Sequence, residues 1–322
     1  MILTVTLNPL LEQRFSYDTV KWGAVNRSAE LQFAAGGKGI NVSRQLNKLG
    51  IKNLSMTFLG GNNGKIVRKI LDEEKINFSV IPTKSETRTA ALIIEKKKKR
   101  LSTFFGPDSE ISEKEAEHFL EKLEKAIKNY SIIVFSGSSP NQFTDKIFPR
   151  GIELAKKYDK ISVLDTYGKH LAECIEKEPT VYHGNVSEVS ASLGIPLKTE
   201  EEKIGFLEFL YSKNIKLGFL TDGANTGYAH KFNFHYKIEN PKVTEIDGTG
   251  SGDAFVAGIV YGLAKSMVFD DFTKFAASLG ALNASRWDVC NSGLEDAQSL
   301  SAKVLLSPIG KKMKLIDDSP TV

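Results

Sequence analysis

Short runs of β-branched and apolar residues alternate with helix-periodic segments along most of this chain, and no other feature narrows its fold so far. The runs stand at Ile2–Leu7, Leu54–Leu59, Ile132–Phe135, Ile161–Leu164, Thr180–His183 and Leu217–Thr221, most of them bounded by Gly, Asn, Asp or Ser. Between them apolar residues recur at helical spacing: Val42, Leu46 and Leu49 before Gly50, Ile66 to Leu71, Ala116 to Ile127, Ile204 to Leu210, and Phe255, Ile259 and Leu263. This alternation describes an α/β chain with a mainly parallel sheet, whose ligand crevice lies beyond the carboxyl ends of the strands. Phe15 to Phe33 and Thr87 to Phe105 break the pattern with strand-forming residues that lack a helical period. They read as a small β element added to the sheet, a flap placed to cover the crevice. The stretch after Leu306 mixes Pro, Gly and charge without a clear period and receives no assignment.

A chain of 322 residues, 41% of them hydrophobic, can bury one large core, and the sequence contains no internal repeat or long linker. Its 43 Lys and Arg against 39 Asp and Glu leave a formal charge of +4, too small and too dispersed to indicate nucleic acid and equally suited to a small anionic substrate. Lys96-Lys-Lys-Lys-Arg100 is a cationic run between two β-like stretches, without interleaved aromatics, and reads as a solvated turn. Cys174 and Cys290 lie far apart without metal-ligand spacing and read as small core residues in a reducing compartment. The first residues lack the basic-then-apolar pattern of a signal peptide, and no apolar run approaches the roughly 18 residues of a membrane span, so a cytoplasmic protein is expected.

The strongest local signal is Asp247-Gly-Thr-Gly-Ser-Gly-Asp253-Ala-Phe, in which glycines bring the backbone close to a ligand just before an apolar-periodic helix. Free N–H groups from about Gly250 to Asp253 can hold charge developing on a transferring phosphoryl group. A carboxylate at the end of such a cradle repels a phosphate but serves as the base for an accepting hydroxyl, although Asp253 could equally cap the helix. No Lys-Ser or Lys-Thr follows, so this is not a P-loop. Gly60-Gly-Asn-Asn-Gly64-Lys65-Ile66 fails that pattern too, and G-x-G-x-x-G is not met either. The second signal, Ala35-Gly36-Gly37-Lys38-Gly39-Ile40-Asn41-Val42, again sets glycines before a helix and places a cation and a carboxamide in its first turn, a set suited to a polyol or sugar phosphate.

With these residues in view the sequence resembles the pfkB-type carbohydrate kinases of the ribokinase-like fold, nearest the 1-phosphofructokinase and tagatose-6-phosphate kinase branch. The resemblance runs in order through Thr6-Leu7-Asn8-Pro9, Gly36-Gly37-Lys38-Gly39-Ile40-Asn41-Val42, Phe135-Ser136-Gly137-Ser138 and Gly248-Thr249-Gly250-Ser251-Gly252-Asp253. It implies a three-layer α/β sandwich in a single domain over 1–322, with β-flap segments near 11–35 and 87–106. It implies Asp253 as the catalytic base, with an anion hole from the amides of Gly250, Ser251 and Gly252. Glu12, Gly37, Lys38, Asn41, Arg88 and Ser138 fall on positions around the sugar or its phosphate. Asn185-Val-Ser-Glu188 matches the family's N-x-x-E motif, which arranges Mg2+ and the nucleotide phosphates through water, so that no side chain is assigned as a direct metal ligand. Thr221 and Gly223 resemble the loop beside the nucleotide, and Asn283 lies in the helix that borders the adenine. From spacing alone, Asn185 and Glu188 are also ordinary helix-start residues, Arg88 could be a solvated face residue, and Asp165 and Thr166 could end a strand near the nucleotide or form a plain turn.

Three departures stand out against that pattern. Glu12 replaces the usual Asp, His183-Gly184-Asn185 replaces Lys-Pro-Asn, and Thr103-Phe-Phe-Gly106-Pro107 replaces Asn-x-Pro-Gly-Pro. The expected activity is transfer from ATP, with Mg2+, to fructose 1-phosphate at its C6 hydroxyl, followed as alternatives by tagatose 6-phosphate at C1, an unphosphorylated sugar, and a non-catalytic sugar-phosphate sensor. A homodimer, without nucleic-acid or membrane partners, is the expected assembly.

Overall fold

The computed structural model describes residues 1–27 and 30–310. In chain order its elements are β1 (Ile2–Thr6), β2 (Leu10–Tyr17), β3 (Glu30–Gly36), α1 (Lys38–Lys48), β4 (Asn53–Gly60), α2 (Gly61–Glu73), β5 (Phe78–Thr83), β6 (Thr89–Glu95), β7 (Arg100–Phe105) and α3 (Glu113–Ile127). There follow β8 (Ile132–Ser136), α4 (Gln142–Asp145), α5 (Ile147–Lys157), β9 (Ile161–Asp165), α6 (Leu171–Glu176), β10 (Val181–Asn185), α7 (Val186–Leu193), α8 (Glu200–Ser212) and β11 (Leu217–Thr221). The last are β12 (Gly227–Lys231), β13 (Phe234–Glu239), α9 (Ser251–Ala264), α10 (Phe269–Ala284), α11 (Leu294–Ser301) and β14 (Leu305–Ile309).

Ten strands form one sheet in the order β14-β13-β12-β11-β10-β9-β8-β1-β4-β5. From β11 to β5 every pairing is parallel, and β12, β13 and β14 add an antiparallel edge. Side chains alternate across this sheet as a two-residue period requires. Leu3, Val5, Ile133 and Phe135 enter the core shared with α3, α5, α6 and α8. Ile2, Ile132 and Val134 enter the opposite core, shared with α1, α9 and α10. A ribokinase-like three-layer α/β fold results, as the sequence led one to expect.

The flap differs in one respect from the expectation. It is a separate four-stranded sheet, β3-β2-β6-β7, and not an extension of the large one. Its central pairing, β2 with β6, is parallel and joins residues about 80 apart in the chain, so local pattern could not reveal it. Leu11, Ala35, Ile40, Leu59, Val67 and Leu71 pack together and tie this sheet to α1, β4 and α2. The unassigned tail supplies β14, which pairs with β13, and residues 311–322 lie outside the described residues.

The chain leaves β1 toward β4 on one side and later returns to β8 on the other, so the switch point of the parallel sheet lies between β1 and β8. That opening is bridged just past the strand ends by Asn8 Nδ2, which donates to Ser138 Oγ at 3.1 Å.

Helix α9 is apolar all round because it lies between α10 and the sheet, and two glycines set how closely it approaches α10. A Cβ at Gly262 would overlap Phe272 Cβ. Alanine improves helix propensity by about 1 kcal/mol, whereas forcing a methyl into a packed interface costs about 1–3 kcal/mol. Gly262→Ala is therefore expected to lower stability overall, read as an earlier urea midpoint with an unchanged m value.

Candidate active site

Two helices begin at the crevice, and each begins with a glycine that no other residue replaces easily. Gly37, at φ 132°, turns the chain from β3 into α1, and a Cβ there would meet Thr6 Cγ2 at 2.8 Å. Gly250, at φ 78°, opens α9 in the left-handed region. The two starts bring Asn41 and Asp253 together: Asn41 Nδ2 donates to Asp253 Oδ2 at 2.7 Å, both side chains being buried.

The charges around this pair are concentrated and unequal. Lys38 Nζ donates to Glu188 Oε2 at 2.9 Å and stands 3.6 Å from Asp165 Oδ1. Asp165 ends β9 and is further held by Ser136 Oγ at 2.7 Å and His183 Nδ1 at 2.9 Å. Burial disfavours charge on Lys38, but the carboxylates of Asp165, Glu188 and Asp253 outweigh it and hold the ammonium protonated. Burial likewise opposes ionisation of Asp165, yet Lys38 and the hydrogen bonds from His183 and Ser136 keep it well below the ordinary carboxylate range. Asp253 goes the other way. Burial, reinforced by Asp165 and Glu188, raises it to about 7 against the pull of Lys38 and Asn41. Two buried carboxylates at one cation are thus driven apart, one a fixed anion and the other a group that takes up and releases a proton near neutrality.

A cleft of about 540 Å3 runs from this cluster to the small sheet, walled by Asn8, Glu12, Lys38, Asn41, Arg88, Phe105, Ser138 and Gly250 among others. At the far wall Arg88 Nη1 donates to Asp108 Oδ1 at 2.8 Å and Nη2 to the Asn8 carbonyl at 3.2 Å, while its Nε is buried without a protein acceptor. A second cavity, about 480 Å3, adjoins the first at Asn185, Gly248 and Gly252. Phe255, Ala277, Ala281, Ala284 and Val243 give it apolar walls, and Thr221 and Gly223 close one side. Such a pair of adjoining cavities, one lined by Asn8, Lys38, Asn41 and Arg88 and the other walled by Phe255 and alanines, suits a polyol and a nucleobase meeting at a helix start.

A family model described as pfkB family carbohydrate kinase matches residues 12–297. The chain belongs to the pfkB family of carbohydrate kinases. It is 30% identical over 288 residues to a tagatose-6-phosphate kinase of Staphylococcus epidermidis, covering 88% of this chain and 92% of that protein. Among solved structures it resembles a protein of Thermotoga maritima described as a possible 1-phosphofructokinase, with TM-score 0.89 and 25% identity over 96% of this chain and 99% of the other. It also shares the fold of phosphofructokinase-2 from Escherichia coli, with TM-score 0.85 and 21% identity over 94% and 98% of the two chains. The protein is therefore a carbohydrate kinase, and ATP is the phosphoryl donor that this family implies.

As a pfkB-family member the chain gathers the residues marked in its sequence unevenly. Gly37, Lys38, Asn41, Arg88, Ser138, Gly250, Gly252 and Asp253 all line the first cleft. Lys38, expected against the sugar, instead spends its ammonium on Glu188 and Asp165. Of the three expected anion-hole amides, that of Ser251, the first residue of α9, already donates to the Gly248 carbonyl at 3.1 Å, and the amides of Gly252 and Asp253 follow it in the first turn. Ser251 faces the nucleotide-side cavity instead. Asn283 does not border that cavity. It is 1% exposed and clamps the glycine turn, donating to the Thr249 carbonyl at 2.7 Å and Ser251 Oγ at 3.1 Å while accepting from the Cys290 amide at 2.7 Å. Asn185 caps α7 through Ser187, and Glu188 pairs with Lys38, so the N-x-x-E residues hold protein groups in this state.

The departures from the family pattern each have a local partner. Glu12 is buried at the edge of the cleft with Oε2 clasped by Arg14 Nε and Nη2 at 2.9 and 2.8 Å, so its extra methylene is coupled to an ion pair. Gly184 fits because any Cβ there would meet Tyr182 Oη at 2.5 Å, and His183 stacks on Phe255 at 5.3 Å between centroids. Phe105 lies 5.5 Å from the Arg88 guanidinium, a cation–π contact in place of a polar wall. Asp165, Asp108, Arg14 and Arg44 also belong to the site. Asp165 and its strand end were visible in sequence; Arg14 and Arg44 stood two and three residues from Glu12 and Asn41 and went unmarked although strand and helix periodicity place each pair on one face, whereas the pairing of Asp108 with Arg88 comes from the fold.

The cations of Lys96–Arg100 turn to acids: Lys96 to Glu30, Lys97 to Asp18, and Lys98 and Arg100 to Glu95. Both cysteines are buried and free. No described helix is long and apolar enough to cross a membrane.

Asp253 carries two linked expectations. Its folded-state value lies above that of the unfolded chain, so the stabilisation attached to the protonated form is present at low pH and is lost as pH rises through about 7. Asp253→Asn has no charge to bury and should keep or raise Tm at pH 8, while turnover falls by about 10²–10⁴-fold. In the unmodified enzyme kcat/KM for the acceptor should fall about tenfold per pH unit below about 7, measured by coupled ADP release.

Proposed function

We propose that the protein transfers the γ-phosphoryl group of ATP to a ketohexose phosphate, with fructose 1-phosphate as acceptor at its C6 hydroxyl. The observation that carries this is the position of Asp253, a buried carboxylate in the acceptor cleft next to Gly252, where the two cavities meet, with Arg88 across that cleft. Arg88 is the natural ligand for the phosphate that the acceptor already bears, because its Nε is a buried donor without a protein acceptor and a guanidinium can bind two phosphate oxygens at once. Tagatose 6-phosphate, accepting at C1, is the second reading, favoured by the 30% identity to a tagatose-6-phosphate kinase. Both sugars offer a primary hydroxyl at one end of a furanose ring and a phosphate at the other.

In the reaction the acceptor hydroxyl donates to Asp253, its oxygen forms a bond to the γ-phosphorus, the bond from that phosphorus to the bridging oxygen of ADP breaks, and the proton passes to Asp253. The N–H groups of Gly252 and Asp253, at the positive end of α9, stabilise the three equatorial oxygens. Lys38 stands beside Asp165 and Glu188, where its ammonium can turn to the transferred group when ATP arrives. Asn185 and Glu188, at the start of α7, would receive the waters of a Mg2+ ion carried by the nucleotide phosphates. There it would neutralise phosphate charge.

Coupled ADP release with ATP and Mg2+ should show clear preference for fructose 1-phosphate, or on the second reading tagatose 6-phosphate, over fructose 6-phosphate, fructose or ribose. Arg88→Met should raise KM for that acceptor by at least about tenfold and leave KM for ATP within about twofold. Activity on free sugars alone would overturn the acceptor assignment, and absence of turnover with intact sugar-phosphate binding would favour the sensor.

The small sheet presents Leu31, Phe33 and Phe104 to solvent on one face, each 47–51% exposed, while Phe105 points to the cleft on the other. This supports a homodimer built through that sheet. Light scattering should give twice the chain mass, and Phe33→Ser with Phe104→Ser should return it to the monomer value.

A further inference from the structure

Arg44 lies three residues after Asn41 on α1, one turn further from the crevice, and makes three directed bonds. Its Nε donates to Glu74 Oε2 at 2.8 Å, Nη2 to the Ala35 carbonyl at 2.7 Å, and Nη1 to Asn41 Oδ1 at 2.6 Å. The first two anchor the guanidinium to α2 and β3, elements that belong to the packing between the small sheet and α2. The third reaches the carboxamide whose other end touches Asp253. A carboxamide offers an acceptor at one end and donors at the other, and the two ends are nearly the same size. A guanidinium offers donors only.

We propose that Arg44 is a positioning residue for phosphoryl transfer: by occupying Oδ1 of Asn41 it obliges Nδ2, and not Oδ1, to face the carboxylate of Asp253. The proposal rests on the reading of Asp253 as the base. With Nδ2 toward it, Asp253 receives a hydrogen bond that favours its ionised form. With Oδ1 toward it, the carboxyl would have to be protonated to make any bond at all, and a protonated base cannot accept the hydroxyl proton. Glu74, through Arg44, thus helps set the protonation of a group in a different layer of the fold.

Other charges face Asp253 and remain in place when Arg44 is changed. Lys38 faces it from α1, Asp165 from the end of β9 and Glu188 from α7, while the Cys290 thiol approaches from the loop after α10. His183 lies under Gly252 from β10. On the other side, Arg44 and Asn41 share a cavity of about 530 Å3 with Glu12, Arg14, Lys48, Glu74 and Asp288, so water can reach the space that a shortened side chain vacates.

The test is the pH profile of kcat/KM for the acceptor in Arg44→Met, Arg44→Lys, Asn41→Ala and the Arg44→Met, Asn41→Ala double variant. Arg44→Met should lower kcat/KM about tenfold at pH 6.5, move the acid limb upward by about one pH unit, and converge on the unmodified enzyme near pH 9, where Asp253 is ionised in either case. Arg44→Lys, again a donor without an acceptor, should recover part of the loss. In the Asn41→Ala background Arg44→Met should change nothing further, because the group it positions is gone. A loss equal at every pH, or one that adds fully to that of Asn41→Ala, would overturn the proposal. If Arg44→Met does not accumulate as folded protein, Glu74→Ala, which removes the guanidinium's anchor, should give the same upward shift of the limb, and an unmoved limb overturns the proposal. Asp253→Asn, run alongside, separates the two ideas. If it retains turnover, the base assignment fails; if it is inactive while Arg44→Met keeps the normal profile, only the role of Arg44 fails.

Discussion

Asp253 is placed where a carboxylate is costly to ionise and useful once ionised. It is buried at the start of α9, with Asp165 and Glu188 near enough to oppose its charge and with Lys38 and Asn41 near enough to restore it. Much else in the crevice follows from keeping those opposing effects close to balance. Lys38 must stay protonated, so it is flanked by acids. Asp165 must stay ionised, so Ser136 and His183 satisfy its oxygens. The glycine turn must hold its place, so Asn283 ties it to α10 and to the following loop. A buried base is not tuned by one neighbour but by a ring of groups that each need support of their own.

How much of this was legible depended on the range of the interactions. The glycine turns that open α1 and α9 are local chemistry, and Gly37, Asn41, Gly250 and Asp253 could be marked from a few residues of sequence. β1, β4, β8, β9, β10 and β11 carry apolar runs that declare themselves for the same reason, whereas β5, half-buried and interrupted by Pro82, did not. By contrast β13 alternates aromatic, charged and apolar residues over a half-exposed face, and its strand character comes from pairing with β12 and β14. Lys38 was legible as a cation in the first turn but not as a partner of Glu188, 150 residues later. Asn283 was legible as a helix residue near the nucleotide side, yet whether it faces the cavity or the turn depends on helix rotation, which the sequence of an apolar helix leaves open.

The departures from the family pattern show how such positions change together. His183 stands on a strand end where its ring can stack on Phe255 and donate to Asp165, and Gly184 beside it relieves contact with Tyr182. Glu12 is longer than aspartate and arrives with Arg14 to hold its carboxylate. In each case the altered residue has a partner that absorbs its size or charge.

The two glycine-started helices that meet at Asp253 lie at opposite ends of the chain, α1 near residue 40 and α9 after residue 250. During synthesis the first is made, and six of the seven mutually parallel strands of the large sheet follow, long before the second exists. Until α9 and α10 emerge, α1 covers only the β1, β4 and β8 part of that side of the sheet, and Val163, Val181 and Phe219 lack the helices that pack on them. The nascent protein therefore carries an open apolar flank from the synthesis of β9 until α9 is complete, and the helix that closes that flank is the one that delivers Asp253, the proposed base. Completion of the core and onset of activity are a single event, so an incomplete chain is exposed to chaperones and proteases at the stage when it is also inert.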